Sequence, residues 1–148
     1  AIDDTAAAAT VVATAQRVAA GCGLPLLVAS VAAHDTAVAV SGAEAAVAAA
    51  LRTIRESGRE ADGRVVCGPP AESIAALAHD SGADLIVAGS HGHGALKRLF
   101  VGSVATALLR DATIPVLILP AGASPVALDE HAHSSPQPHV AATSALTS

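Results

Sequence analysis

The stretch ADLIVAGSHGHGALKRLFVGS, residues 83–103, holds the residue types that could do chemistry. It contains Gly89-x2-Gly92-x9-Gly102-Ser103 between an apolar run and an amphipathic one. Glycines at 89 and 92 open backbone dihedrals closed to other residues and let amide N–H groups approach an anion. Gly102 and Ser103 open a helix, whose first N–H groups and positive dipole end favour a phosphate. The Ser103 hydroxyl can cap that helix or donate to the phosphate. With ordinary glycine, serine and threonine abundance, the pattern arises by chance in roughly one chain in 200 of this length. No Gly-Lys-Ser/Thr follows, so this is not a Walker loop, and Gly92-His93-Gly94 is only a fragment of a dinucleotide fingerprint.

The chemistry read from these residues is binding. Hydrolysis of a nucleotide needs a metal clamp, a positioned water and charge stabilisation. Residues 89–103 contain no carboxylate, and their cations, Lys97 and Arg98, read as a solvated helix face. His34-Asp35 and His79-Asp80 stand beside no serine or cysteine in a pattern of nucleophilic catalysis.

The elements that must position the loop follow from periodicity. Helices are expected over residues 5–20 with Thr5 as N-cap and a stop at Gly21, from Ser41 to about Ser57, over 71–81 behind Pro70, and over 103–111. Ser41 and Glu44 have capping-box spacing. Short apolar runs at 24–31, 64–67, 83–88 and 114–119 read as strands buried on both faces. The alternation implies an α/β domain with a parallel sheet, doubly wound, with helices on both faces. Residues 121–148, rich in Ala, Ser, Pro and His, are expected to be a disordered tail whose His131, His133 and His139 are solvated.

Composition excludes several classes. Alanine fills about a quarter of the 148 residues, 14% are charged, and Phe100 is the one aromatic ring. Base-stacking platforms need rings, and a net charge of −5 argues against nucleic acid as a partner. No uninterrupted apolar stretch reaches the ~18 residues of a membrane span. Cys22 and Cys67 read as two buried thiols in a reducing compartment, and with no basic opening segment a cytoplasmic location is expected.

Three blocks resemble one family. Ile2-Asp3-Asp4-Thr5 is similar to its V-D-G-S. Gly68-Pro69-Pro70-Ala71-Glu72-Ser73-Ile74 is similar to its G-x-P-A-x-x-I. Residues 83–120 are similar to its D-L-I-V-x-G-S-H-G through G-S-V-A to P-V-L. The chain thus resembles the universal stress proteins of the ATP-binding type over residues 1–120. That resemblance implies five parallel strands in the order 3-2-1-4-5, with Ile2 ending the first. Five to eight apolar residues are then expected upstream, or the chain is half of a tandem protein. It implies ATP, with magnesium as a possible companion, at the carboxyl edge between strands 1 and 4. By position, Asp3 would hold the adenosine end and Val31 would line the adenine pocket. Gly89, His91, Gly92, Gly102, Ser103 and Val104 would hold ribose and phosphates. Asp4 stands where the family often has glycine and adds negative charge there.

The expected function is therefore that of an ATP-binding regulatory protein with little or no hydrolysis. The alternative is a nucleotide-free dimeric interaction module on the same scaffold. In either case the run from Ile114 to Leu119 would be an edge strand, and the resemblance implies that it pairs with its copy in a homodimer.

Overall fold

Glycine, proline and one threonine set the joints of the fold. The computed structural model describes residues 6–90 and 102–120. In chain order it holds α1 (Ala6–Cys22), β1 (Leu27–Ala32), α2 (Ala37–Glu56), β2 (Asp62–Cys67), α3 (Pro70–Asp80), β3 (Ile86–Gly89), α4 (Ser103–Asp111) and β4 (Val116–Leu119). Every helix and strand expected within these residues is present. Thr5, Ile2 and the 121–148 tail lie outside them.

The boundaries correct the sequence reading in three places. α1 runs through Gly21 and stops at Gly23, whose φ of 66° is the left-handed cap that glycine adopts at no steric cost. α2 starts at Ala37 rather than Ser41. Thr36 is extended there, and its Oγ1 accepts the Ala39 N–H at 3.3 Å. That cap comes first, and the alanines behind it carry the helix through Ser41 and Gly42, so the Ser41–Glu44 pair caps nothing. β1, β3 and β4 also start later than their apolar runs, whereas β2 starts two residues earlier, at Asp62. Pro25 lies ahead of β1, and Pro115, whose carbonyl accepts the Ile86 N–H at 2.9 Å, lies ahead of β4.

β1 pairs parallel with β2 from Leu27↔Asp62 to Ala32↔Cys67, and β3 pairs parallel with β4 from Ile86↔Val116 to Gly89↔Leu119. Parallel neighbours need a crossover, and α2 and α4 supply it. Among the described residues the strands form two two-stranded sheets, β1-β2 and β3-β4.

Two apolar clusters hold the elements. Val12 of α1, Val28 of β1 and Val47, Ala50 and Ile54 of α2 form one. Ile74 and Ala78 of α3, Ile86 and Ala88 of β3 and Leu108 of α4 form the other. Ile54 and Leu108 are each only 1% exposed. Burying one such side chain contributes roughly 1.5–3 kcal/mol. α2 also packs closely on β2: a Cβ at Gly63 would stand 2.7 Å from Val47 Cγ1 and 2.8 Å from Leu51 Cδ1.

By length and mean hydropathy (1.4), α2 is long and apolar enough to cross a membrane, a candidate that a search for uninterrupted apolar runs passes over. Its buried residues, Ala43, Ala46, Val47, Ala50 and Ile54, form the face packed on the sheet, and most of its other residues are exposed. The cysteines correct a further expectation, since both Cys22 and Cys67 are free and exposed. Cys22 closes α1 and Cys67 ends β2.

Candidate functional site

Main-chain hydrogen bonds draw the two ends of the glycine pattern together. Gly89 ends β3, opposite Leu119. One residue on, the Ser90 N–H donates to the Leu119 carbonyl at 2.7 Å, and the Ser90 carbonyl accepts the Gly102 N–H at 2.6 Å. Ser90 is 5% exposed. A clasp at this one residue therefore joins the carboxyl end of β3, the end of β4 and the start of α4. The sequence reading passed over Ser90, because its contribution is made by the main chain and leaves no side-chain signature.

α4 opens directly from the clasp. Gly102 is its N-cap, at φ −62° and ψ 160°, and no side chain caps the helix. The Gly102 carbonyl accepts the Thr106 N–H at 2.9 Å, which closes the first turn. Ser103, Val104 and Ala105 precede that bond, so their N–H groups are the amides a helix leaves without intrahelical acceptors. Ser103 and Val104 are exposed, and Ala105 is buried. An uncapped first turn with exposed residues beside a sheet's carboxyl edge can receive an anion through backbone amides and the helix dipole.

Three expectations change at this point. Ser103 is not the N-cap; it is the first helical residue, and Gly102 caps through its backbone. The Gly102 N–H is spent on Ser90 and is not free for a ligand. The dihedral argument does not hold at Gly89, which is an ordinary strand residue, and Gly102 has a φ open to any residue. What glycine offers at 102 is the absence of a side chain.

Val31 is half-buried in β1 beside Val66 and packs against the cluster of Ile74, Ile86, Ala88 and Leu108. It therefore shares an apolar layer with β3 and α4, the elements that carry Gly89, Gly102, Ser103 and Val104. Asp3, His91 and Gly92, together with Asp4, His93, Lys97 and Arg98, lie outside the described residues. Among the described residues no group of three or more His, Cys, Asp or Glu side chains could hold a metal. Glu72 lies in the first turn of α3, and Asp84 precedes β3. His79 and Asp80 form an exposed pair at 3.4 Å at the end of α3.

The shifted titrations lie at the opposite end of α4. Hydrogen bonds from Arg110 hold the exposed Asp111 carboxyl below the usual carboxylate range, and the same pair raises the guanidinium. Asp111 is roughly 12 Å along the helix from Ser103, at 1.5 Å per residue, so this pair belongs to the C-terminus of α4 and not to the uncapped turn.

The model of the universal stress protein family matches residues 1–120, and the chain belongs to that family. It is 40% identical over 76 residues to the stress response protein NhaX of Bacillus subtilis, a match covering 51% of this chain and 46% of that protein. The chain spans less than half the length of the curated relatives it matches. A universal stress protein from Archaeoglobus fulgidus superposes with a TM-score of 0.71 at 23% identity, covering 80% of this chain and 92% of its own. A structure from the same organism in complex with dAMP gives a TM-score of 0.68 at 22% identity, covering 80% and 91%. These likenesses establish the α/β fold with parallel strands.

Proposed function

We propose that this chain binds ATP as a regulatory protein and turns it over slowly or not at all. One observation carries the reading: the Ser90 clasp sets the uncapped first turn of α4 at the carboxyl end of β3. In an open α/β fold that edge is where ligands sit. The phosphates are then received by the amides of Ser103, Val104 and Ala105, with Gly89, His91 and Gly92 on the facing arm and the Ser103 hydroxyl as a further donor. Asp3 holds the adenosine end and Val31 floors the adenine pocket. Magnesium, where present, is carried by the nucleotide. A universal stress protein of this fold has been captured with dAMP, which supports an adenine nucleotide as the ligand class.

The same reading takes β1-β2 and β3-β4 as the outer pairs of one doubly wound five-stranded sheet, order 3-2-1-4-5, whose central strand is chain N-terminal to α1. Residues 1–120 form the nucleotide-binding domain and 121–148 a dispensable tail. The protein works in the cytosol, where the free thiols of Cys22 and Cys67 stay reduced. β4 presents a half-buried apolar edge that pairs with its copy in a homodimer. Sedimentation equilibrium tests that pairing, and a monomer at tens of micromolar would rule it out.

The nucleotide test is Gly102→Val. The φ and ψ of Gly102 lie in the extended region that valine favours, so the fold survives and only the approach to the α4 amides is filled. Calorimetry should show ATP binding to the parent chain and none to the variant. Equal affinity in both, with unchanged circular dichroism, would place the phosphates elsewhere. A phosphate-release assay should stay well below the ~10 s⁻¹ typical of dedicated enzymes.

A further inference from the structure

Among the described residues β2 pairs with β1 and with no other strand. In a parallel ladder, alternate residues bond to opposite sides. The Asp62 N–H donates to Leu26 and the Gly68 N–H to Ala32, so the even residues of β2 serve β1. Gly63, Val65 and Cys67 therefore turn their N–H and C=O groups to the outer edge. Asp62 and Arg64 are exposed on the sheet face away from α2. The Arg64 guanidinium lies along the edge, donating to the Gly63 carbonyl at 3.3 Å.

α2 carries a charge pattern of its own above this edge. Glu44, Ala48, Leu51 and Arg55 follow at alternating steps of four and three, which sets them on one face of the helix. Glu44, Ala48 and Arg55 are exposed, and Leu51 is half-buried. A Cβ at Gly63 would meet Leu51 Cδ1 at 2.8 Å and Val47 Cγ1 at 2.7 Å, so this face runs along β2 rather than β1. It is acidic at its start, small at its middle and basic at its end.

Each pattern is self-complementary on reversal, and both reverse about the same point. On β2, reversal about Gly63 sets Asp62 opposite Arg64. On α2, reversal about the midpoint of Ala48 and Leu51 sets Glu44 opposite Arg55. Gly63 lies beneath Val47 and Leu51, so a single axis serves both layers. The spacing agrees. α2 packs on both β1 and β2. With strands about 4.8 Å apart, a helix over the β1-β2 gap meets its two-fold mate at about twice that, within the roughly 8–10 Å of packed helices. Ala48 leaves room for that approach.

We propose that α2 and β2 form a self-association surface, on which a second copy of the chain lays its β2 antiparallel across a two-fold axis through Gly63. Gly63 exchanges both main-chain bonds with its copy. Asp62 and Arg64 then pair across the axis on one face of the sheet, and Glu44 and Arg55 pair on the other. Charges on an edge strand repel other chains, whereas a strand carrying the same charges in reverse order satisfies them. The surface stands on α2 and β2 and requires neither the nucleotide reading nor the pairing of β4.

The experiment mixes two charge variants of the 148-residue chain at tens to hundreds of micromolar. Asp62→Arg and Arg64→Asp each set like charges across the axis. In sedimentation equilibrium each alone should show about half the parent's weight-average mass or less, because one two-fold contact is lost. An equimolar mixture sets arginine opposite aspartate at both places and should recover the parent mass, about double that of either variant alone. The double variant Asp62→Arg/Arg64→Asp should associate as the parent does. Ala48→Trp, at an exposed position, should block association with the melting temperature unchanged. Pairing through β4 is the same in all these chains and cannot produce a gain on mixing. Should a β2 variant fail to fold, Glu44→Arg mixed with Arg55→Glu makes the same test on α2. Equal mass for the parent and a folded single variant, or no gain on mixing, would overturn the proposal.

Discussion

The β1-β2 pair is six residues deep and is covered by the 20-residue α2, whereas the β3-β4 pair is four residues deep and meets α3 and α4, of 11 and nine residues. The first region spends its apolar residues on packing: five residues of α2 are buried, and the helix lies so close to β2 that Gly63 has no room for a side chain. The second region stops short. β3 ends at Gly89; the Ser90 N–H makes the last ladder bond, to the Leu119 carbonyl, and the Ser90 carbonyl then accepts from Gly102 at the start of α4. The early stop brings the N-terminus of α4 to the sheet edge, where the proposed anion site would lie. The long half gives a sheet covered by one long helix, and the short half leaves the first turn of α4 without a side-chain cap.

The largest test of that division removes one core side chain from each half. Ile54→Ala and Leu108→Ala each empty a site that is 1% exposed, and each should cost about 2–5 kcal/mol in denaturant unfolding. Their effects on ligand should differ. Ile54 lies in the α2 cluster, so the folded fraction of Ile54→Ala should bind ATP with unchanged affinity. Leu108 anchors α4 to β3 and α3, so Leu108→Ala should weaken binding several-fold even where the protein is fully folded. Equal affinity losses in calorimetry would erase the distinction between scaffold and site.

A pair of glycines sharpens the same point at smaller cost. Gly63→Ala should destabilise by about 1–3 kcal/mol, because its Cβ would press on Val47 and Leu51. Gly42, on the exposed side of α2, has nothing within 4 Å of an added Cβ, and Gly42→Ala should stabilise by about 0.4–1 kcal/mol through the unfolded chain. Thermal melts of the two variants should shift in opposite directions. A shift of the same sign would mean that α2 does not pack on β2 as closely as the geometry requires.

Helices and strands were legible from the sequence because each carries its own periodicity, and residues 103–111 needed no revision at either end. Starts failed where a local side chain outcompeted a motif. Thr36 caps α2 five residues ahead of Ser41, and a capping-box spacing cannot reveal that an earlier cap is available. The exposure of Cys22 and Cys67 was illegible for a related reason: residue type predicts burial on average, but both thiols lie at element ends. For the site, the pattern identified Gly89, Gly102 and Ser103 as neighbours in space. It could not show that Ser90 joins them, since any residue can make two main-chain bonds. Nor could it show that Gly102 uses an ordinary φ, because a glycine in a sequence signals both missing bulk and unusual dihedrals.

Thr36→Ala tests the cap directly. Losing the Oγ1 acceptor for the Ala39 N–H should cost about 1 kcal/mol, read as a lower melting temperature with binding unchanged. Thr36→Ser, which keeps the acceptor, should recover most of it. No loss in Thr36→Ala would mean that water replaces the hydroxyl in full, and that the alanines of α2 set its start unaided.

The smallest expected effect lies at the far end of α4. Arg110 donates from Nε and Nη2 to the two Asp111 carboxylate oxygens, each at 2.7 Å, and both side chains are exposed. Those hydrogen bonds lower the Asp111 pKa, slight desolvation opposes them, and the guanidinium charge adds to the lowering. A carboxyl whose folded pKa is depressed stabilises the fold above the ordinary carboxylate range, and that contribution is lost as pH falls through it toward the folded value. At pH 7, Asp111→Asn should therefore lower the melting temperature by less than Thr36→Ala does, for two reasons. Exposed pairs are screened. The carboxylate also sits at the negative end of the α4 dipole, which works against it. In strong acid, where Asp111 is protonated in both folded and unfolded chains, parent and variant should melt together. Molar salt at pH 7 should close the same gap by shortening the range of the attraction. A gap that persists unchanged in acid would mean that the asparagine disturbs packing at the end of α4 rather than its charge.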